Sequence, residues 1–191
     1  MSGILAVGYF LITLFFSLLF FMLWARIALR YFHISTLHPI SQGISKFSDP
    51  IIKPVAFLFA KTTMRMSRYD LPCLCILILA EFLKFVMIST LFLGVMIPLG
   101  LLPLYILADL ITQPCNLLFY AIIIRVVISW VNPFWTHPVV DVIKAITQPL
   151  LNSVRSFVPD IAGFDFSPFI VMIALNVISL FISASLPLRL V

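Results

Sequence analysis

Long apolar runs alternate along the chain with polar stretches. Residues 1–25 contain no charged side chain, and the apolar run continues to about residue 29. That exceeds the ~20 residues a helix needs to cross a bilayer. A polar stretch covers 30–70, and residues 71–97 are then apolar apart from Glu81 and Lys84. The segment 98–103 holds Pro98, Gly100 and Pro103 and predicts a turn, because these residues interrupt helices. A third apolar run covers 104–131, broken by Asp109, Pro114 and Arg125. A second polar stretch follows at 132–165, and 166–188 carries no charge. The pattern predicts an all-α membrane protein with four transmembrane helices, over about 4–29, 71–97, 104–131 and 166–188. A cleaved signal peptide is the rival to the first span. It would begin with a basic residue and have an apolar run of roughly 7–15 residues. The first basic residue here is Arg26, so a retained span is expected.

Composition agrees. Of the 191 residues, 63% are hydrophobic and 10% charged, with a mean hydropathy of +1.20. A soluble domain is about 25% charged, so a soluble enzyme is excluded, as is a disordered chain. The net charge of +5 reads as topology and not as nucleic-acid binding. Arg26, Arg30, Lys46, Lys53, Lys61, Arg65 and Arg68 surround the first long loop, and Arg125, Lys144 and Arg155 the second. The opposite side has Arg189. Positive-inside places both loops in the cytoplasm and both termini outside.

The chain repeats itself. Shifted by 99 positions, Arg26 falls on Arg125, His38-Pro39 on His137-Pro138, Ile44 on Ile143, and Pro50-Ile51-Ile52 on Pro149-Leu150-Leu151. Further on the shift becomes 95, placing Asp70 on Asp165 and Glu81 on Asn176. Two units are expected: 1–97, with loop 30–70, and 104–191, with loop 132–165. Each contains two spans, so both copies have one orientation, as parallel repeats about an axis along the membrane normal.

The loops carry a helical pattern. Ile40, Ile44, Phe47 and Ile51, and in the second copy Val139, Val140, Ile143, Ile146 and Leu150, recur at helical spacing opposite polar residues. Each loop therefore begins with an amphipathic helix. Pro39 and Pro138 suit a first turn, Thr136 is a candidate N-cap, and Pro50 and Pro149 are expected to end or kink the helix. A further apolar segment follows each proline, at 51–60 and 150–158. The segments either lie in the headgroup layer, with Lys and Arg near anionic lipid, pack on the ends of their own spans, or dip into the membrane. The expected partners are the lipid bilayer, anionic headgroups at the cytoplasmic face, and a second copy or another membrane protein on the remaining apolar surface.

Catalytic signatures are absent. No phosphate-binding glycine loop, zinc-protease motif or serine elbow occurs. No cofactor or metal is expected. His38 and His137 suit capping or the lipid interface better than ligation. Cys73, Cys75 and Cys115 read as buried apolar residues, with no disulfide expected on a reducing side. Arg26 and Arg125 end the odd-numbered spans, where they either snorkel or pair with loop carboxylates such as Asp70 and Asp165. Tyr31 and Trp130 follow them and suit the aromatic belt. Glu81 and Lys84 lie near mid-span and share a helix face. They either pair with each other or form a polar pathway with Asp109, Gln113 and Asn176. An unpaired charge there costs ~2.5–3.5 kcal/mol on insertion scales.

The second copy resembles the YggT (YlmG-like) repeat. The likeness rests on Arg125-x-x-x-Ser129-Trp130, His137-Pro138, Thr147-Gln148-Pro149-Leu150-Leu151, Arg155, Pro159 and Gly163-Phe164-Asp165-Phe166-Ser167-Pro168. The first copy keeps Arg26, Pro39, Asp49-Pro50-Ile51-Ile52-Lys53-Pro54 and Asp70. Residues 152–156 depart from the pattern, with one Arg where the family usually has Pro and paired Arg, which argues against strong phosphate binding by that segment. The resemblance implies a bacterial inner-membrane protein without known catalysis. It implies links to osmotic stress and potassium uptake in bacteria, and to cytochrome cofactor assembly and nucleoid distribution in plastids. The function expected is a non-enzymatic scaffold or assembly component in envelope and osmotic-stress homeostasis, the alternative being an ion uptake or transport component.

Overall fold

The structure is a computed structural model and describes residues 3–35, 37–59, 70–93, 98, 100–132, 134–157 and 165–186. Lys61, Arg65, Arg68, Arg189, Pro159, Gly163, Phe164 and the distal ends of the expected second and fourth spans lie outside the described residues. All regular elements among the described residues are helical: α1 (Gly3–Tyr31), α2 (Pro39–Phe59), α3 (Leu71–Ile88), α4 (Leu102–Val131), α5 (Pro138–Arg155) and α6 (Ser167–Ser185). Four are long and apolar enough to cross a membrane: Gly3–Tyr31, Leu71–Phe92, Leu102–Val131 and Ser167–Ser185. They fall on the four expected spans.

The second span includes more than α3. A π-helical turn, Ser89–Leu93, continues it. Ser89 and Thr90 hydroxyls both donate to the Val86 carbonyl, at 3.0 and 2.7 Å. Hydroxyls that bond back onto the preceding turn compete with the regular backbone ladder. At Pro98 the expected turn is present, closed by Leu101 N–H to the Pro98 carbonyl at 2.8 Å.

The proline expectation needs correction. Neither Pro50 nor Pro149 ends its helix: α2 runs through Pro50 and Pro54, and α5 through Pro149. An interior proline costs ~3 kcal/mol or more, through a lost N–H and a ring clash. Here the chain is held on both sides of each proline. Ile52 and Leu151, two residues on, are buried in the core, and the residues just before are gripped by arginine, as described below. Residues 51–59 and 150–155 of the apolar segments after the prolines thus belong to the same amphipathic helices. The cap is also revised. His137, not Thr136, caps α5, its Nδ1 accepting from Val139 N–H at 3.2 Å. Thr136 precedes the extended residue from which the helix starts, so its hydroxyl is one position too early.

The chain forms two compact units, Met1–Tyr31 with Gly43–Leu110, and Phe32–Gln42 with Ile111–Val191. In the first, α1 packs on α3 around Phe16, Phe20, Leu23, Ile52, Cys73, Ile76 and Leu77. In the second, α5 packs on α6 around Ile122, Leu151, Val171 and Leu175. The cores use matching positions. Leu23 and Ile122, and Ile52 and Leu151, are related by the shift of 99, and Ile76 and Val171 by the shift of 95. Outside these cores the spans expose large apolar side chains such as Phe10, Leu18, Leu79, Leu107, Val177 and Phe181, the surface a lipid-facing helix presents. Leu151→Ala should therefore lower the unfolding free energy in detergent by roughly 2–5 kcal/mol. Ile178→Ala, on an exposed face, should change it little when both are compared by the same unfolding titration.

Candidate functional site

The motif residues of the first unit converge on Arg26, near the end of α1. Its Nη1 donates to Ser48 Oγ at 2.6 Å and to Asp49 Oδ1 at 2.7 Å, and its Nε donates to Asp70 Oδ2 at 3.1 Å. One guanidinium thus joins α1, α2 and the residue that precedes α3. Arg30, one turn on, also reaches Asp70 Oδ2 at 3.2 Å, and Lys53 lies 3.4 Å from Asp49 Oδ2. The Asp70 side chain is almost wholly buried. The hydrogen bond from Arg26 holds the Asp49 carboxyl below the ordinary carboxylate value.

In the second unit Arg125 occupies the matching place on α4. Its Nη1 donates to Thr147 Oγ1 at 2.8 Å and its Nη2 to Gln148 Oε1 at 2.6 Å. Thr147 and Gln148 are the counterparts of Ser48 and Asp49 at the shift of 99. Both hydroxyls also bond back along their own helices, Ser48 to the Ile44 carbonyl at 2.8 Å and Thr147 to the Ile143 carbonyl at 2.7 Å. Of the two alternatives, snorkelling and pairing with a loop carboxylate, Arg26 takes the pairing with Asp70, whereas Arg125 does not take the matching one with Asp165. Asp165 is hydrogen-bonded by Arg155, with Nε at 2.9 Å and a second contact from Nη2. Arg155 at the end of α5 lies nearer in sequence to Asp165 and intercepts it. Asp165 Oδ1 also accepts from Ser167 N–H at 2.9 Å. Partial burial pushes the Asp165 carboxyl up, but the hydrogen bonds from Arg155 and Ser167 outweigh it and hold the group below its ordinary value.

The remaining motif residues frame these clamps. Pro39 and Pro138 open α2 and α5, as their missing N–H predicts. Ser167 opens α6 and is buried, with Pro168 next to it. Ser129 is exposed on α4, and Trp130 is 79% exposed. Sequence reasoning did not pick out the pairs 48/147 and 49/148 as arginine partners. The available signal was a hydroxyl followed by a polar residue immediately before the shared proline.

The intramembrane residues divide between the units. In the first, Lys84 Nζ lies 2.8 Å from Glu81 Oε2 and also pairs with Asp109. Its ammonium sits over the rings of Phe85 and Phe20, at 4.5 and 5.2 Å from their centroids, a favourable place for a cation. Glu81 and Asp109 are buried. The pair is therefore a triad of two carboxylates and one ammonium. Gln113 and Asn176 belong to the other unit, and Asn176 is exposed on α6. Among the described residues no group of three or more His, Cys, Asp or Glu could hold a metal ion. Cys73, Cys75 and Cys115 are free thiols; Cys73 is buried as expected, whereas Cys115 is half-buried and Cys75, on the outer face of α3, is exposed.

Fold and site define a multi-pass helical membrane protein built on a repeated arginine clamp. The CCB3/YggT family model matches residues 5–91 and 104–186, and the chain belongs to this family. It is 28% identical over 173 residues to the Escherichia coli K12 protein called "Uncharacterized protein YggT", covering 90% of this chain and 86% of that one. A Vibrio alginolyticus protein, "Uncharacterized protein in proC 3'region", is 29% identical over 174 residues, covering 87% and 88% of the two chains. A shorter match, 38% over 66 residues, joins 34% of this chain to 66% of "Uncharacterized protein ycf19" of Galdieria sulphuraria. No solved structure matches.

Two consequences follow for mutants. Arg26→Gln removes the shared cation from the carboxylates of Asp49 and Asp70 and leaves them only Lys53 and Arg30, whereas Arg125→Gln strands neutral groups. The first should cost roughly 3 kcal/mol and the second roughly 1–2 kcal/mol, in unfolding titrations of the purified variants. For the triad, Lys84→Met should sharply lower the amount of protein in the membrane. Lys84→Met with Glu81→Gln should restore it only partly, because Asp109 stays charged. Adding Asp109→Asn should complete the recovery, read by immunoblot of washed membranes.

Proposed function

We propose that the chain is a non-enzymatic scaffold or assembly component of the bacterial inner membrane, acting in envelope and osmotic-stress homeostasis. The observation that carries this reading is where the motif side chains go. Arg26, Asp49, Asp70, Arg125, Thr147, Arg155 and Asp165 are engaged in bonds that fasten an amphipathic helix to the end of a span. They do not converge on a reaction centre with nucleophile, base and oxyanion donors. A fastened helix offers a defined surface to another membrane protein or a second copy. On this reading α2 and α5 face the cytoplasm and the termini the periplasm, in line with the excess of Lys and Arg around both loops.

A second reading, an ion or potassium uptake component, is favoured by the triad. Two carboxylates around one ammonium in mid-span are the kind of intramembrane group that marks ion pathways.

Potassium flux into vesicles carrying the purified chain separates the two. The scaffold reading expects flux no greater than in protein-free vesicles. Selective flux that disappears in Asp109→Asn would replace it with the transport reading. Reporter fusions should place Lys46 and Lys144 inside and Pro98 outside; a cytoplasmic reporter signal at Pro98 would overturn the topology.

A further inference from the structure

The two units satisfy their equivalent arginines differently. Arg26 meets two carboxylates, Asp49 and Asp70. Arg125 meets a hydroxyl and an amide, because Gln148 stands where Asp49 would and Arg155 holds Asp165. Among the described residues Arg125 forms no ion pair with a carboxylate. Beside it opens a cavity of about 210 Å³ lined by Arg125, Ile128, Ser129, Val140, Ile143 and Lys144. Lys144 also has no ion-pair partner, and the Ser129 hydroxyl no hydrogen bond, among the described residues. In the first unit the matching positions are Arg30 and Ser45. Arg30 is bound to Asp70, and Ser45 stands where the second unit has Lys144. Where one repeat supplies its own carboxylates, the other leaves two cations and a hydroxyl around an open space.

Two cations and a hydroxyl suit a phosphate group. Arginine donates to phosphate oxygens as a planar fork and lysine as a point charge. At about 210 Å³ the cavity has room for such a group. Its other wall is apolar, made by Ile128, Val140 and Ile143. It lies within the last two turns of a spanning helix, and that helix end carries the exposed Trp130, a residue type that favours headgroup depth. Asp141, one turn before Lys144 on α5, does not line it. We infer that this cavity binds the phosphate of an anionic lipid headgroup, with Arg125 and Lys144 on the phosphate oxygens, Ser129 as a further donor, and the apolar wall against the glycerol end. Free phosphate has the same charged chemistry but would leave that wall wet. The inference holds whether the chain works as a scaffold or a transporter.

The test uses the full purified chain. Retention of phosphatidylglycerol and of phosphatidylcholine is measured by native mass spectrometry, with Tm in detergent recorded with each lipid and with inorganic phosphate. The unaltered chain should retain phosphatidylglycerol preferentially and gain Tm from it. Lys144→Gln, which breaks no contact among the described residues, should keep the lipid-free Tm but weaken retention roughly tenfold, the worth of one charged hydrogen bond. Gln148→Asp, which supplies the carboxylate of the first unit, should also weaken retention by neutralising Arg125, with its lipid-free Tm free to move because Gln148 belongs to the clamp. Lys46→Gln, an exposed cation of α2, should change nothing. Equal retention of the two lipids, or as large a loss in Lys46→Gln as in Lys144→Gln, would overturn the site. Displacement of phosphatidylglycerol by inorganic phosphate, with the Tm gain now following the ion, would overturn the lipid as its occupant.

Discussion

An arginine placed one to two turns inside the end of an apolar span must find hydrogen-bond acceptors. Its guanidinium does not lose its proton in a protein, and leaving it unsatisfied at the edge of hydrocarbon is costly. In this chain that requirement organises each half. Arg26 and Arg125 take acceptors from the middle of the amphipathic helix that follows. The helix is drawn against the span, and its apolar stripe then meets the same span in the core: Ile52 beside Leu23, and Leu151 beside Ile122. The polar clamp and the apolar contact lie three or four residues apart on α2 and α5, one helical turn. Each therefore orients the other.

This coupling explains why prolines are tolerated in the middle of both helices. Pro50 and Pro149 each remove one backbone donor, to the carbonyl four residues earlier. The residues immediately before them are held by arginine, and those two positions after, Ile52 and Leu151, are buried. Among the side chains that do the holding, the Ser48 and Thr147 hydroxyls accept from arginine while donating to their own backbone. A larger apolar residue at 48 or 147 would lose both roles.

The copies differ where their charges are balanced. The first unit contains its own carboxylates at Asp49 and Asp70 and holds a charged triad within its spans. The second has neutral partners for Arg125 and an open basic cavity. A shared scaffold thus presents one arginine balanced by carboxylates and one held by neutral groups beside a cavity. Lys84 shows the same economy of design within the bilayer. A single ammonium serves two buried carboxylates and two aromatic faces, so that no one of the three charges lies alone in a low-dielectric medium.

Much of this was legible in the residues. The four spans follow from the length of the apolar runs, because water, lipid and the helical rise leave few other solutions. The repeat follows from Arg, His-Pro and Pro recurring in one register. The amphipathic helices follow from spacing alone. Three features were decided only by tertiary structure. Local propensity ends α2 and α5 at proline, but packing on both sides carries them through. Symmetry pairs Arg125 with Asp165, but Arg155, ten residues from that carboxylate, reaches it first. Spacing on one helix pairs Glu81 with Lys84, but α4 brings Asp109 from 25 residues away to the same ammonium. In each case the sequence by itself determined which groups needed a partner. Which partner each received depended on distances across the fold, and one-dimensional spacing does not contain those distances.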